Sequence, residues 1–298
     1  MCSAKFADSW QHGGGAIWQT PTYDPELGLI YFGVGNPGDD LDDSMRPGDN
    51  LYNNSIVAVD IKTGKRRWHY QMVPHDMWDY DAASPTMLID VMVGGRRVPA
   101  VAHAGKTGWV YVLDRRTGER IVRSEPFVPH FNTFARPTAE GVRAWPSQDG
   151  GSNWPPMAYS PRTGWLYVLG QHLPTVFSTR QEEWVKGRFW FGGRTTGIPG
   201  APRWGTLTAI DPASGKIAWQ DSTERPLRLG GALATAGDLV FYGDLNGFFN
   251  AVDARTGERL WRFQTGATVA AAPMSYMLDG RQYIAVASLG ALFVFALR

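Results

Sequence analysis

Apolar residues along this chain come in runs of about four to six, alternating with polar positions or unbroken, and each run stops at turn residues rather than continuing at helical spacing. Leu29-Ile30-Tyr31-Phe32, Ser55-Ile56-Val57-Ala58-Val59-Asp60, Trp165-Leu166-Tyr167-Val168 and Phe248-Phe249-Asn250-Ala251-Val252-Asp253 are examples. The turn pattern Asp-x-x-(Thr/Ser)-Gly recurs at Asp60 to Gly64, Asp114 to Gly118, Asp211 to Gly215 and Asp253 to Gly257. Its glycine supplies the positive φ that closes an antiparallel hairpin. In three of the four repeats a tryptophan stands four residues beyond the glycine, at Trp68, Trp219 and Trp261. A second hairpin type precedes the first: Thr22 to Gly28 leads into Leu29, and Ala158 to Gly164 leads into Trp165. Two hairpins per repeat make four antiparallel strands per unit.

Strands are predicted near 16–23, 28–35, 55–60 and 65–72, then 84–91, 97–103, 108–113 and 118–123. The series continues at 153–159, 164–170, 206–211 and 216–221, at 229–235, 238–243, 248–253 and 258–263, and at 270–277, 281–287 and 291–296. An all-β chain of four-stranded units repeated at this scale reads as a β-propeller, with blades near 13–72, 84–123, 153–221, 229–263 and 270–298 in one domain. The fifth unit is short of its outermost strand, and residues 1–12 are too short and polar to be assigned as that strand. Segments 36–54, 73–83, 124–152 and 171–205 are predicted loops gathered over one face of the central channel, where long loops usually serve function.

Composition narrows the classes. Thirty-five Gly, 20 Pro and 13 Trp suit short strands and tight turns rather than helices. A net charge of +1 gives no footprint for nucleic acid or an anionic membrane. Cys2 is the one cysteine, so no intrachain disulfide forms. The first residues have neither a basic nor an apolar signal region, and no apolar run reaches about 18 residues, so the chain reads as soluble without an export signal.

The densest chemistry lies in Pro74-His75-Asp76-Met77-Trp78-Asp79-Tyr80-Asp81. Carboxylates held this close raise one another's pKa unless a cation compensates them. A metal ion is one remedy, and a carboxylate beside it serves as a general base. A solvated acidic turn over a buried Trp78 is the alternative reading.

Gly13-Gly14-Gly15-Ala16-Ile17-Trp18, Gly33-Val34-Gly35-Asn36-Pro37, Met45-Arg46-Pro47-Gly48-Asp49-Asn50 and Pro74 to Asp79 stand in an order and spacing that resembles the pyrroloquinoline quinone (PQQ)-dependent alcohol dehydrogenases. The resemblance continues through Gly150-Gly151-Ser152-Asn153-Trp154 and the stretch Leu229 to Gly243, and so covers nearly the whole chain. It implies an eight-bladed quinoprotein propeller, of which about four and three quarter blades are counted here, so that the chain is expected to be the C-terminal part of a longer protein.

By this resemblance Trp18 is the platform for the cofactor ring, Lys106 touches the quinone oxygens, Asn153 is a polar contact and Trp154 packs beneath it. Asn36 and Asp79 become metal ligands, and Asp79 also the catalytic base. Asp81 is a further candidate ligand: lanthanide-dependent methanol dehydrogenases resembling this chain carry an aspartate there, where calcium-dependent ones have a small residue. Sugar-oxidising members also show Trp-Asp-x-Asp, so calcium and a lanthanide ion both stay open.

The implied reaction oxidises an alcohol to an aldehyde or ketone. Asp79 takes the hydroxyl proton as hydride passes to a metal-polarised quinone, and electrons leave to cytochrome c or a membrane quinone. The family works in the periplasm. Two donors among the matched residues, with about three from the cofactor, fall short of the six to eight that calcium takes. The missing N-terminal half is therefore an expected partner. Leu229, where methanol-oxidising members have tryptophan, weakens any assignment to methanol. A sugar or polyol dehydrogenase and a non-catalytic scaffold of the outer-membrane assembly type are the competing readings.

Overall fold

A computed structural model of the chain describes residues 8–227 and 229–297. Cys2 and most of the N-terminal segment considered above as a closing strand lie outside them.

The chain forms a β-propeller of successive antiparallel sheets. The first comprises β1 (Thr22–Asp24), β2 (Leu29–Gly33), β3 (Ser55–Asp60) and β4 (Arg66–Gln71), in that spatial order. The second comprises β5 (Met87–Val93), β6 (Arg96–Ala104), β7 (Val110–Asp114) and β8 (Arg120–Arg123). After β9 (Val142–Ala144), the third sheet runs β10 (Ala158–Ser160), β11 (Trp165–His172), β14 (Trp204–Ile210) and β15 (Ile217–Thr223). Between β11 and β14 the chain leaves to form β12 (Thr175–Thr179) and β13 (Gly193–Gly197), which pair with β9 as a separate three-stranded sheet in the order β13-β12-β9. The fourth sheet holds β16 (Ala232–Ala234), β17 (Leu239–Gly243), β18 (Phe248–Asp253) and β19 (Arg259–Gln264). The last holds β20 (Met274–Leu278), β21 (Arg281–Ser288) and β22 (Ala291–Phe295).

Apolar side chains on both faces of the inner strands meet those of the next sheet. Tyr31, Ile56 and Trp68 of the first sheet pack on Val101, Tyr111 and Leu113 of the second. Ala100, Ala102 and Val112 of the second pack on Leu166, Val168 and Ile210 of the third. The same contact recurs from Tyr167 and Leu207 to Val240 and Val252.

Three of the four repeated turns are also joints. The indole N–H of Trp68 and the phenol of Tyr31 both donate to the Arg115 carbonyl, at 3.1 and 2.9 Å, inside the turn that follows β7. Trp219 and Tyr167 do the same to Ala254, both at 3.0 Å, in the turn that follows β18. The tryptophan ring then lies against the turn glycine, where an added Cβ would come within 2.6 Å of Trp68 at Gly118 and within 2.7 Å of Trp219 at Gly257. Val122 takes the tryptophan's place between the second and third sheets and seats on Gly215, 2.7 Å from where a Cβ would stand. Glycine therefore does two things here, adopting positive φ and leaving room for the neighbouring sheet.

The structure departs from the strand prediction at the channel side. Segments 16–21, 153–157, 229–231 and 270–273 leave the ladder, and the innermost strands β1, β10, β16 and β20 are correspondingly short. Gly13, Gly14 and Gly15, all at positive φ, lead the chain away from extended pairing before Trp18, and Pro155 and Pro156 have no N–H to give a ladder. Segments 124–152 and 171–205, predicted as loops, contain the strands β9, β12 and β13.

Gly64 and Gly118 share positive φ, 67° and 78°, but Gly64 has nothing within 4 Å of its absent Cβ. Alanine at Gly64 is expected to cost about 1–2 kcal/mol from backbone strain alone, and alanine at Gly118 clearly more, because Trp68 must also move. Chemical denaturation of the two variants checks this, and equal losses would show that the joint carries no stability.

Candidate active site

The segment between β4 and β5 is shaped by one buried carboxylate. Asp76 accepts the backbone N–H of Trp78 at 2.9 Å and of Tyr80 at 2.8 Å, and the Asn54 amide at 2.9 Å. Burial raises its pKa, and these three donors oppose that shift. Trp78 donates to the Ala135 carbonyl at 2.9 Å and Tyr80 to Pro146 at 2.7 Å, so both aromatics are anchored in the layer below. Met77, Trp78 and Tyr80 join a core cluster with Leu41 and Phe177. With those three facing inward, Asp79, at φ 60°, and Asp81 are left to face a common point.

That point is the ammonium of Lys106, which sits in the turn between β6 and β7 and is 5% exposed. Its Nζ donates to the Asp79 carbonyl at 2.7 Å and to Asp79 Oδ1 at 3.2 Å, and pairs closely with Asp81. The other Asp81 oxygen accepts the Trp18 indole N–H at 2.8 Å. Gly150 and Gly151 let the following loop lie directly on this turn: a Cβ at Gly150 would be 2.3 Å from that of Lys106, and the Gly151 N–H reaches the Lys106 carbonyl at 2.6 Å. The loop delivers Asn153, buried with an Oδ1 that has no partner among the described residues, and Trp154, whose ring meets Trp18 edge-on at 6.2 Å.

The electrostatics follow from this packing. Burial drives the Asp79 pKa well above the ordinary carboxylate range; Lys106 pulls it down, and Asp81, Asp40 and Asp76 push it further up. Burial would depress Lys106, yet Asp79 and Asp81 outweigh it and hold the ammonium above its usual pKa.

Of the residues singled out from the sequence, Trp18, Asp79, Asp81 and Lys106 thus share one contact network. Asn36 faces the same cavity as Trp18, about 330 Å³ in volume, while its own amide donates to the Pro37 carbonyl at 3.1 Å. Asp79 also lines a second cleft of about 590 Å³ with Gln148, Phe189 and Arg194. Asp40, which the sequence reading passed over, lies in the Trp18 cavity, its pKa raised to about 7 by burial. The signal available was the run Asp39-Asp40-Leu41-Asp42-Asp43.

Among the described residues no group of three or more His, Cys, Asp or Glu side chains is arranged to hold a metal ion. The donors present are all oxygens, from Asn36, Asp79 and Asp81, which is the chemistry of a hard cation. Lys106 already stands as a cation between the two carboxylates. Trp18 is 45% exposed and lines the cavity, so its indole is accessible to a flat ligand. The residues therefore fit a planar cofactor and a hard ion, with donors still to be added.

Comparison with known proteins decides the lineage. The family model for the PQQ "Glucose/ethanol/alcohol dehydrogenase, beta-propeller domain" matches residues 3–130 and 189–284. The chain belongs to this PQQ β-propeller family. Quinoprotein alcohol dehydrogenase PedH of Pseudomonas putida is 39% identical over 303 residues, covering 94% of this chain and 50% of that protein. Among solved structures, the quinohemoprotein alcohol dehydrogenase of Comamonas testosteroni superposes with a TM-score of 0.85 at 36% identity, over 93% of this chain and 45% of that one. A europium-containing methanol dehydrogenase gives 0.87 at 33%, over 95% and 53%. The quinoprotein chain described here spans about half the length of the curated relatives it matches. No helix among its described residues is long and apolar enough to cross a membrane.

Asp39 yields a pH prediction. It is buried, and desolvation followed by the nearby Asp42 charge raises its pKa to about 7. A carboxylate whose folded pKa lies above its unfolded one destabilises the fold at high pH, and the cost is relieved as pH falls through 7 towards 4. Asp39→Asn is therefore expected to raise Tm at pH 8 relative to wild type and to give no advantage near pH 4. Thermal unfolding across that range is the check, and a constant difference would contradict it.

Proposed function

We propose that this chain contributes the base, the ring platform and part of the metal shell to the site of a quinoprotein alcohol dehydrogenase. The observation that carries this reading is the single network joining Trp18, Asp81, Lys106 and Asp79 beside a cavity that also takes in Asn36. Trp18 would be the platform for PQQ, with Asn153 and Trp154 beside it from the adjoining loop. Asn36 and Asp79 would ligate the ion, and Asp81 would add a third ligand if its oxygen were released from Lys106. Further donors come from residues outside this set, since two or three side chains leave a hard ion short of its usual number.

When bound, the quinone accepts hydride and the ion polarises it as a Lewis acid. The chain's own part is proton handling and orientation. An alcohol hydroxyl placed on the Asp79 carboxylate gives up its proton there, with Asp79 as general base. Lys106 fixes the Asp79 carboxylate through two contacts, at the backbone carbonyl and at Oδ1, so the base is aimed before substrate arrives. The same ammonium would also offset negative charge on a quinone held beside it. The product is an aldehyde or ketone, and electrons pass on to a cytochrome c or quinone acceptor in the periplasm.

The test is oxidation of alcohols, followed with an artificial electron acceptor, by protein reconstituted with PQQ and either calcium or lanthanum. Asp79→Asn is expected to lower kcat by about 10²- to 10⁴-fold while leaving quinone affinity within a few-fold. Trp18→Ala is expected to weaken quinone binding itself. Retained turnover in Asp79→Asn would remove the base assignment. The preferred ion, compared between wild type and Asp81→Ala, reads the role of Asp81.

A further inference from the structure

We propose that Phe189 is a specificity-determining residue, setting which hydrocarbon substituents an alcohol substrate can carry. It lies in the segment between β12 and β13, which is closed at its base by the Arg180 N–H on the Gly192 carbonyl at 2.9 Å. Glu182 pins the segment from within. One carboxylate oxygen takes the Arg180 guanidinium, the other accepts the N–H groups of Phe191 and Gly192 at 3.4 and 3.2 Å, and its carbonyl accepts the Trp190 indole N–H at 3.0 Å. The Phe191 carbonyl in turn accepts the Leu41 N–H at 3.0 Å, which ties the segment to the loop that carries Asp40.

Held this way, Phe189 alone among the described residues lines both the cavity of Trp18 and Asn36 and the cleft of Asp79. On the function proposed above, an alcohol must present its carbon to a ligand on Trp18 and its hydroxyl to Asp79 at once, so it must lie across the junction of the two spaces. The ring at that junction is apolar, stacked at 5.5 Å on Phe191, and 87% exposed. It thus offers a hydrocarbon contact that the folded chain does not itself use, and its removal leaves the core intact. Each methylene strengthens binding by up to about fourfold when such a contact buries it fully.

The test is binding of ethanol, butanol and hexanol to the full chain, read from tryptophan fluorescence, since Trp184 and Trp190 line the same cavity. Wild type is expected to show Kd falling by up to about fourfold per methylene; Phe189→Ala should flatten that gradient to less than half, and Phe189→Leu should restore most of it, with Tm unchanged in both. An unaltered gradient in Phe189→Ala, or no chain-length dependence in wild type, overturns the proposal. Because the readout is binding, it stands apart from turnover: an unaltered gradient in Phe189→Ala leaves the dehydrogenase reading standing, and retained turnover in Asp79→Asn removes the base assignment without touching the gradient.

Discussion

The architecture depends on a small polar and steric joint between sheets. A tyrosine and a tryptophan from one sheet converge on a single backbone carbonyl of the next, and the indole rests on a glycine that has no side chain to exclude it. Apolar faces alone would let neighbouring sheets slide or rotate, because burial is not directional. The two hydrogen bonds to Arg115 and to Ala254 give each contact a register. The third joint, built on Val122 and Gly215, keeps the seat without the indole and adds the Glu125 N–H on the Gly215 carbonyl at 2.8 Å.

The site inherits its geometry from that register. Trp18, Asp79 and Asp81 belong to segments flanking the first sheet and Lys106 to the second, so the network exists only when those two sheets are correctly docked, and Asn153 reaches the site from the lead-in of the third. Asp76 supplies the local order, using a buried charge to hold two backbone N–H groups of its own segment. Its cost is met by hydrogen bonds rather than by an ion pair, which leaves Lys106 free to serve Asp79 and Asp81.

Much of this was legible because it is periodic or dense. The Asp-x-x-(Thr/Ser)-Gly turns announce the hairpins, and the glycine-to-tryptophan spacing turned out to mark the joints as well. Trp18, Asp79 and Lys106 were reachable through ordered motifs. The three-stranded sheet was not: β13 is Gly-Arg-Thr-Thr-Gly and β9 has three residues, so neither shows an apolar alternation. Asp40 was hidden because a run of aspartates reads as a solvated loop until Arg46, donating to the carbonyls of Asp39 and Asp40 at 2.9 and 3.1 Å, is seen to fold it inward. Phe189 carries no local pattern at all, and its place over two cavities arises from contacts made by its neighbours.

One feature of the joints bears on how such chains associate. Among the described residues nothing rests on the turn at Gly64, and Trp261 is a 39% exposed knob that packs on Phe295 at 5.1 Å. These are opposite halves of one kind of contact, and a two-fold axis pairs like with like, so it cannot bring a knob to a seat. Contacts of this polarity join head to tail, and they end only by closing into a ring. The repeat thus carries a sense of direction around the propeller, written in a glycine at one end and an indole at the other.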